Sequence, residues 1–281
     1  MQMKLGHIDY LNCVPFFEYL QQAGFDGTTV KGVPAQLNAM LAQGELDVSP
    51  SSSFEYGRNF RDYVLLPSHS ISAFNEVQSV LFFSSVPLAE LDGQKIYLTG
   101  ESATSVHLLY VILKEFYGCQ TIDSCVPEQP AENYLNQGKP VLLIGDRALK
   151  ASLTIGPEKG RQYDLAQLWH QHTGLPFVFA LWIVHRQAYQ RLPEEFSQLQ
   201  TQLQESKDKA FQNLSALAQA VTDRPWMTQK QLVDYWKCMS YDLDEAHVKG
   251  LTLFFELCTK YGYLSQMPEL AFVDAAGSGQ A

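Results

Sequence analysis

The chain has 281 residues and a formal net charge of −10, with 46% hydrophobic and 12% aromatic residues. That is core material for one large domain or two medium ones, and it excludes a disordered or disulfide-rich class. The acidic balance excludes a basic nucleic-acid groove, so no nucleic-acid partner is expected, although hydroxyls and helix N-termini can still bind anions locally.

Residues 4–9 read as a short strand ending in Asp9-Tyr10-Leu11-Asn12. A helix over 15–22 opens on Pro15 and stops at Gly24, the usual helix punctuation. Residues 28–33 form a β-branched strand. Pro34 opens a helix with Leu37, Met40 and Leu41 on one face, closed by Gly44. Leu46-Asp47-Val48 is a short buried strand, and Ser49-Pro50-Ser51-Ser52-Ser53 a loop leading into a helix over 54–59. This alternation predicts a parallel sheet covered by helices. Further strands fall at 77–84, 95–98, 141–144 and 177–184, with a helix over 105–116 ending at Gly118. Residues 152–162 read as a surface loop. Beyond Pro193 the pattern is helical: 194–221, with Phe196, Leu199, Leu203, Ala210, Leu214 and Leu217 at helical spacing, then 229–239 and 245–261. Trp236, Phe254 and Phe255 are expected to pack on the core rather than form a dimer face; monomer and homodimer both remain open. The tail 274–281 is small and polar and is expected to fray.

No linker separates two domains. The expected organisation is a discontinuous first lobe, 1–80 plus 182–270, and an inserted second lobe, 83–178, with crossings near 77–83 and 180–184. Such a chain closes a cleft around a small anion.

Four polar groups are candidates for that cleft. Asn12, with Tyr10 and Leu11, follows the first strand, where ligands gather in open α/β sheets; it could equally cap a helix. Ser51, Ser52 and Ser53 stand at a helix start and suit a carboxylate, or simply cap. Ser102, Thr104 and Ser105 open the helix of the second unit and mirror the first cluster, so two helix N-termini could share a dianion. In Gly145-Asp146-Arg147, Asp146 could accept from a ligand or cap the next helix, and Arg147 could pair with a ligand carboxylate or a surface acid.

Other chemistries find little support. The five cysteines have irregular spacing and no C-x-x-C pair, which suggests reduced thiols in the cytoplasm. The opening MQMKLGHIDYLN shows no secretory leader, and no apolar run reaches about 18 residues, so no membrane partner is expected. His7 lies in a strand, and His69 and His107 near the expected cleft edges. His170 and His172 are not spaced as a helical metal pair, and no metal is expected. There is no nucleophile elbow, Walker loop or dinucleotide fingerprint.

Several strings go further. They include Ile8-Asp9-Tyr10-Leu11-Asn12-x-x-Pro15, Gly32-Val33-Pro34-Ala35-x-Leu37-Asn38, Gly44-Glu45-Leu46-Asp47-Val48 and Ser51-Ser52-x-x-Glu55-Tyr56. Val77-x-Ser79-Val80, Ser102-x-Thr104-Ser105, Ile144-Gly145-Asp146-x-Ala148-Leu149 and Thr173-Gly174-Leu175-Pro176-Phe177-Val178-Phe179-Ala180 follow. Over residues 4–265 the chain resembles the chorismate dehydratases of the futalosine route to menaquinone. The resemblance implies a type II periplasmic-binding-protein-like α/β fold, two lobes each with a mostly parallel sheet, used for catalysis. It implies loss of water from chorismate, giving 3-[(1-carboxyvinyl)oxy]benzoate, with no cofactor. It also implies Asn12 and Ser79 as catalytic residues, and Tyr10, Ser51, Ser52, Ser102, Thr104, Ser105 and Asp146 as substrate-binding residues. The base is either a protein group or the substrate's own enolpyruvyl carboxylate. One departure stands out: Ala73-Phe74-Asn75-Glu76-Val77 carries Phe-Asn where a glycine turn is expected. Two rivals share the fold, a transporter's solute-binding protein and the 1,4-dihydroxy-6-naphthoate synthase of the same route.

Overall fold

The computed structural model describes residues 2–156 and 160–273; the expected tail at 274–281 lies outside them. The chain opens with β1 (Lys4–Ile8), a 3-10 turn (Leu11–Cys13) and α1 (Val14–Phe17). Pro15 does start this helix, but it makes a single turn instead of running to residue 22. Then come β2 (Thr28–Gly32), α2 (Pro34–Ala42), β3 (Val48–Ser52), α3 (Ser53–Asn59) and β4 (Tyr63–Ala73). The middle of the chain carries β5 (Val80–Ser84), β6 (Lys95–Leu98), α4 (Ala103–Val111), β7 (Asp123–Cys125) and α5 (Glu132–Leu135). It continues with β8 (Val141–Ile144), α6 (Gly145–Thr154), β9 (Arg161–Asp164) and α7 (Leu165–Thr173). The last third holds β10 (Phe177–His185), α8 (Arg186–Arg191), α9 (Pro193–Gln212), α10 (Leu214–Ala220), α11 (Gln229–Cys238), β11 (Ser240–Leu243) and α12 (Glu245–Lys260).

Two sheets result, ordered β11-β4-β10-β3-β1-β2 and β7-β6-β8-β5-β9. Both are mixed rather than mostly parallel. The βα units contribute parallel pairs at β1–β2, β1–β3, β6–β7 and β6–β8. The connecting strands run back: β10 is antiparallel to β3 and β4, and β5 to β8 and β9. All of β10 lies in the first sheet, so the chain has left the second sheet before Phe177.

The serine loop is a strand. Ser51 and Ser52 pair with Leu181 and Ala180, and every residue of β3 is buried. Alternation along a strand then sends neighbouring serines to opposite faces. β4 carries its own polar interior: Ser70 donates to Ser72 at 2.9 Å, and Ser72 to the Ser240 carbonyl at 3.1 Å. Its register shifts against β10 around Pro67 and Ser68, where Ser68 takes a φ of 69°, a bulge that suits a proline without an N–H. Phe74 and Asn75 adopt no left-handed backbone; that conformation falls instead on Gln78, φ 57°. Of the loop expected at 152–162, residues 152–154 end α6 and 161–162 begin β9, while 157–159 lie outside the described residues. The helix expected over 194–221 is broken at Asn213, whose side chain caps α10 through the Ala216 N–H.

Trp236, Phe254 and Phe255 are fully buried within the chain. Their helices pack on the core, α12 closely against the turn before β10. A Cβ on Gly250 would sit 2.1 Å from the Pro176 carbonyl oxygen. Among the described residues no helix is long and apolar enough to cross a membrane.

Candidate active site

A narrow cleft of about 60 Å³ lies between the two sheets. Its polar lining is Tyr10, Asn12, Ser52, Ser79, Ser102 and Ser105, and its apolar walls include Ile8, Ile71, Val80, Ile144 and Phe179. Six of the nine residues singled out from the sequence therefore share one cavity. It is smaller than the roughly 150 Å³ of an engineered cavity that binds benzene.

Asn12 sits in the 3-10 turn after β1 and caps nothing. Its amide oxygen is buried and takes no hydrogen bond among the described residues. A buried acceptor left open costs about 1–3 kcal/mol; this one belongs to the cleft lining, where a ligand's donor can reach it. Ser52 caps α3 through the Glu55 N–H at 3.2 Å. Ser102 caps α4 through the Ser105 N–H at 3.3 Å, and its Oγ lies 3.2 Å from that of Ser105. Each capping oxygen accepts one bond and keeps its own hydrogen, so capping and ligand binding are compatible here. The helix starts also touch: the Phe54 N–H of α3 donates to Thr104 Oγ1 of α4 at 3.0 Å.

That contact removes Thr104 from the lining. Ser51 is also absent; its hydroxyl is fully buried on the other face of β3, without a hydrogen-bond partner among the described residues. Asp146 is neither a helix cap nor part of the lining. It accepts from the Leu11 N–H at 3.1 Å and from Arg224 Nε at 2.6 Å, clasping the turn after β1. Burial raises the Asp146 carboxyl above its ordinary range, against the pull of Arg224. Arg147 pairs with Glu132 and, at 2.8 Å, with Glu101, which in turn accepts from the Tyr10 phenol at 2.8 Å. This chain of polar contacts flanks the cleft. Burial, then Glu101, push the Tyr10 phenol well above its usual range. Gly145, at φ 58°, lies against the Tyr10 ring, which a Cβ would meet at 3.0 Å.

Ser79 is seated by residues the sequence did not single out. Asp164 Oδ2 accepts the N–H groups of Val77 at 2.9 Å and Gln78 at 2.7 Å. Its Oδ1 caps α7 through Ala166 and Gln167. The string Asp164-Leu165-Ala166-Gln167 is a capping signature that could have disclosed α7. Tyr235, on α11, donates to Ser79 Oγ at 2.9 Å; no local spacing links residues so far apart. His69 and His107 do not line the cleft: His69 packs on Phe16, and His107 stacks on Phe54 with Nδ1 2.7 Å from the Ala103 carbonyl. Among the described residues no three His, Cys, Asp or Glu side chains gather in a metal-binding group.

A family described as menaquinone biosynthesis matches residues 3–260. A chorismate dehydratase of Thermus thermophilus is 33% identical over 265 residues, covering 90% of this chain and 93% of that protein. Among solved structures, an Archaeoglobus fulgidus protein superposes with a TM-score of 0.72 at 15% identity, covering 93% of this chain and 98% of its own. A Candida albicans protein described as having the generic periplasmic-binding-protein fold gives 0.67 at 11% identity, covering 99% of each. The architecture is that of the periplasmic binding proteins.

Proposed function

From a chain that belongs to the menaquinone-biosynthesis family, we propose a hydro-lyase that removes water from chorismate to give 3-[(1-carboxyvinyl)oxy]benzoate. The observation that carries this reading to the cleft is the open, buried amide oxygen of Asn12, set among hydroxyls from both halves of the molecule. The substrate is a dicarboxylate. Ser52 at one helix start, and Ser102 and Ser105 at the other, supply donors for its two carboxylates.

The reaction breaks the ring C–H bond at the carbon bearing the enolpyruvyl ether. The electron pair forms the new ring double bond, the neighbouring C–O bond breaks, and hydroxide leaves with a proton as water. Aromatisation supplies the driving force. The titratable groups of the lining are Tyr10 and Cys13, and burial holds both protonated at neutral pH. Neither is a base, so the proton goes to the substrate's own enolpyruvyl carboxylate, which folding brings to the ring hydrogen at high effective molarity, and passes from it to the departing hydroxyl to complete the water. Asn12 orients that conformer and binds the departing hydroxyl; Ser79 donates to developing negative charge. Parting of the walls admits the ring, and their return excludes water. The five cysteines are free thiols, which supports a reducing, cytoplasmic setting.

The test is direct. The purified chain, incubated with chorismate alone, forms the benzoate with one equivalent of water, followed by chromatography and mass. Chorismate bound but recovered unchanged refutes the enzyme reading in favour of a binding protein. No binding, with turnover of a cyclised futalosine derivative instead, assigns the naphthoate synthase.

A further inference from the structure

We propose that Tyr235 is the positioning residue for Ser79: its phenol donates to Ser79 Oγ, turning the serine hydrogen into the cleft and making Ser79 a committed donor to the substrate. The inference rests on the dehydratase reading and deepens it.

A serine hydroxyl has one hydrogen and two lone pairs. Here Tyr235 fills one lone pair at 2.9 Å. While its O–H donates, the phenol does not have that hydrogen to turn elsewhere, so Ser79 must direct its own hydrogen to another oxygen. The acceptor at hand is the Val77 carbonyl at 3.2 Å, long for an O–H···O bond, whose usual distance is about 2.7–2.8 Å. A carboxylate or leaving hydroxyl in the cleft is a better acceptor and takes it. Both side chains are 1% exposed, so water does not compete. Burial also holds the Tyr235 phenol well above its ordinary range. The phenol therefore keeps its proton and acts as a fixed dipole that strengthens the Ser79 donor cooperatively. Neighbouring Trp236 donates from Nε1 to the Leu11 carbonyl at 2.7 Å. One helix, α11, thus holds both the turn that carries Asn12 and the hydroxyl of Ser79.

A double-mutant cycle on chorismate turnover tests this, with Tyr235→Phe, Ser79→Ala and the pair. Tyr235→Phe lowers kcat by about 10- to 100-fold, the value of a hydrogen bond serving developing charge, with KM little changed. The pair is no slower than Ser79→Ala alone, because the phenol acts only through the serine. A Tyr235→Phe kcat within about twofold of wild type, or losses that multiply in the pair, overturns the inference while wild-type turnover leaves the dehydratase reading intact. A wild-type chain inert on chorismate refutes both. If Tyr235→Phe does not fold, 3-fluorotyrosine at position 235 keeps the bond and strengthens the donor. A rise in kcat that vanishes in the Ser79→Ala background then supports the inference, and an unmoved kcat overturns it.

Discussion

Asp164→Asn tests how the turn presenting Ser79 is held. The carboxylate accepts four backbone N–H groups, two from the turn at Val77 and Gln78 and two from the start of α7. Asparagine keeps one acceptor oxygen and sets its NH₂ against the other two donors. At about 1–3 kcal/mol per buried unsatisfied group, the loss is about 2–6 kcal/mol. At about 2–4 °C per kcal/mol for a chain of this size, the melting temperature falls by roughly 5 °C or more. Turnover falls as well, because the left-handed backbone at Gln78 loses its carboxylate anchor and is left with a side-chain bond to Glu76 at 2.8 Å and the Ser79 N–H to Val77 carbonyl bond at 2.7 Å. The wild-type carboxyl is itself raised by burial from 3.8 to about 6, against the pull of those four amides. A carboxyl raised on folding contributes stability that is complete below its unfolded pKa and lost as pH rises through the folded one. The fold therefore gains from this group as pH drops from about 6 towards 3.8. Asparagine does not titrate, so this pH dependence of stability is absent in Asp164→Asn. Thermal melts across this pH range and kcat of both proteins decide the matter. Wild-type melting and turnover in Asp164→Asn, or a melting temperature with the same pH dependence in both proteins, would refute the reasoning.

Three other substitutions have separable signatures. Asn12→Ala lowers kcat by about 10²–10³, the value of a preorganised polar group, yet leaves the melting temperature level or higher because its amide oxygen has no partner to lose; a large drop in melting temperature would make the residue structural. Arg224→Ala strips Asp146 of its ion pair, both side chains being under one-fifth exposed. The cost is about 2 kcal/mol after discounting for solvent, read as a raised KM and a larger radius of gyration in X-ray scattering; no change in either sinks the clasp. Gly250→Ala drives a methyl into the Pro176 carbonyl and costs about 1–3 kcal/mol or more, checked by denaturant titration.

The sequence disclosed what local punctuation controls. Pro34 and Gly44 marked α2, and runs of apolar residues marked β1, β5, β8 and β10. β4 escaped because its polarity is satisfied inside the sheet: Ser70 and Ser72 bond each other and β11, which periodicity reads as a loop; in β3 the run Ser49 to Ser52 reads the same way although every residue is buried. At the site, residues beside a strand end or helix start were legible, since ligand chemistry and capping use the same hydroxyls. Thr104 and Asp146 were legible as polar and adjacent, but their engagement with Phe54 and Arg224 depends on how distant segments meet. Tyr235 and Asp164 gave no signal towards Ser79, since both act across the fold and not along the chain.

The dependence of the Asn12 turn on α11 has a consequence for biosynthesis. Trp236 reaches Leu11 across 225 positions, so at about 5–20 residues per second the ribosome needs some 10–45 s to deliver the anchor of a turn it made near the start. During that interval β4 also waits for β10 and β11, its two neighbours in the finished sheet. An eleven-residue strand with both edges unpaired invites mispairing. The nascent chain therefore passes through a stage in which this strand is open to aggregation. A chain stalled before residue 235 would carry Asn12 and Ser79 without the helix that sets either one.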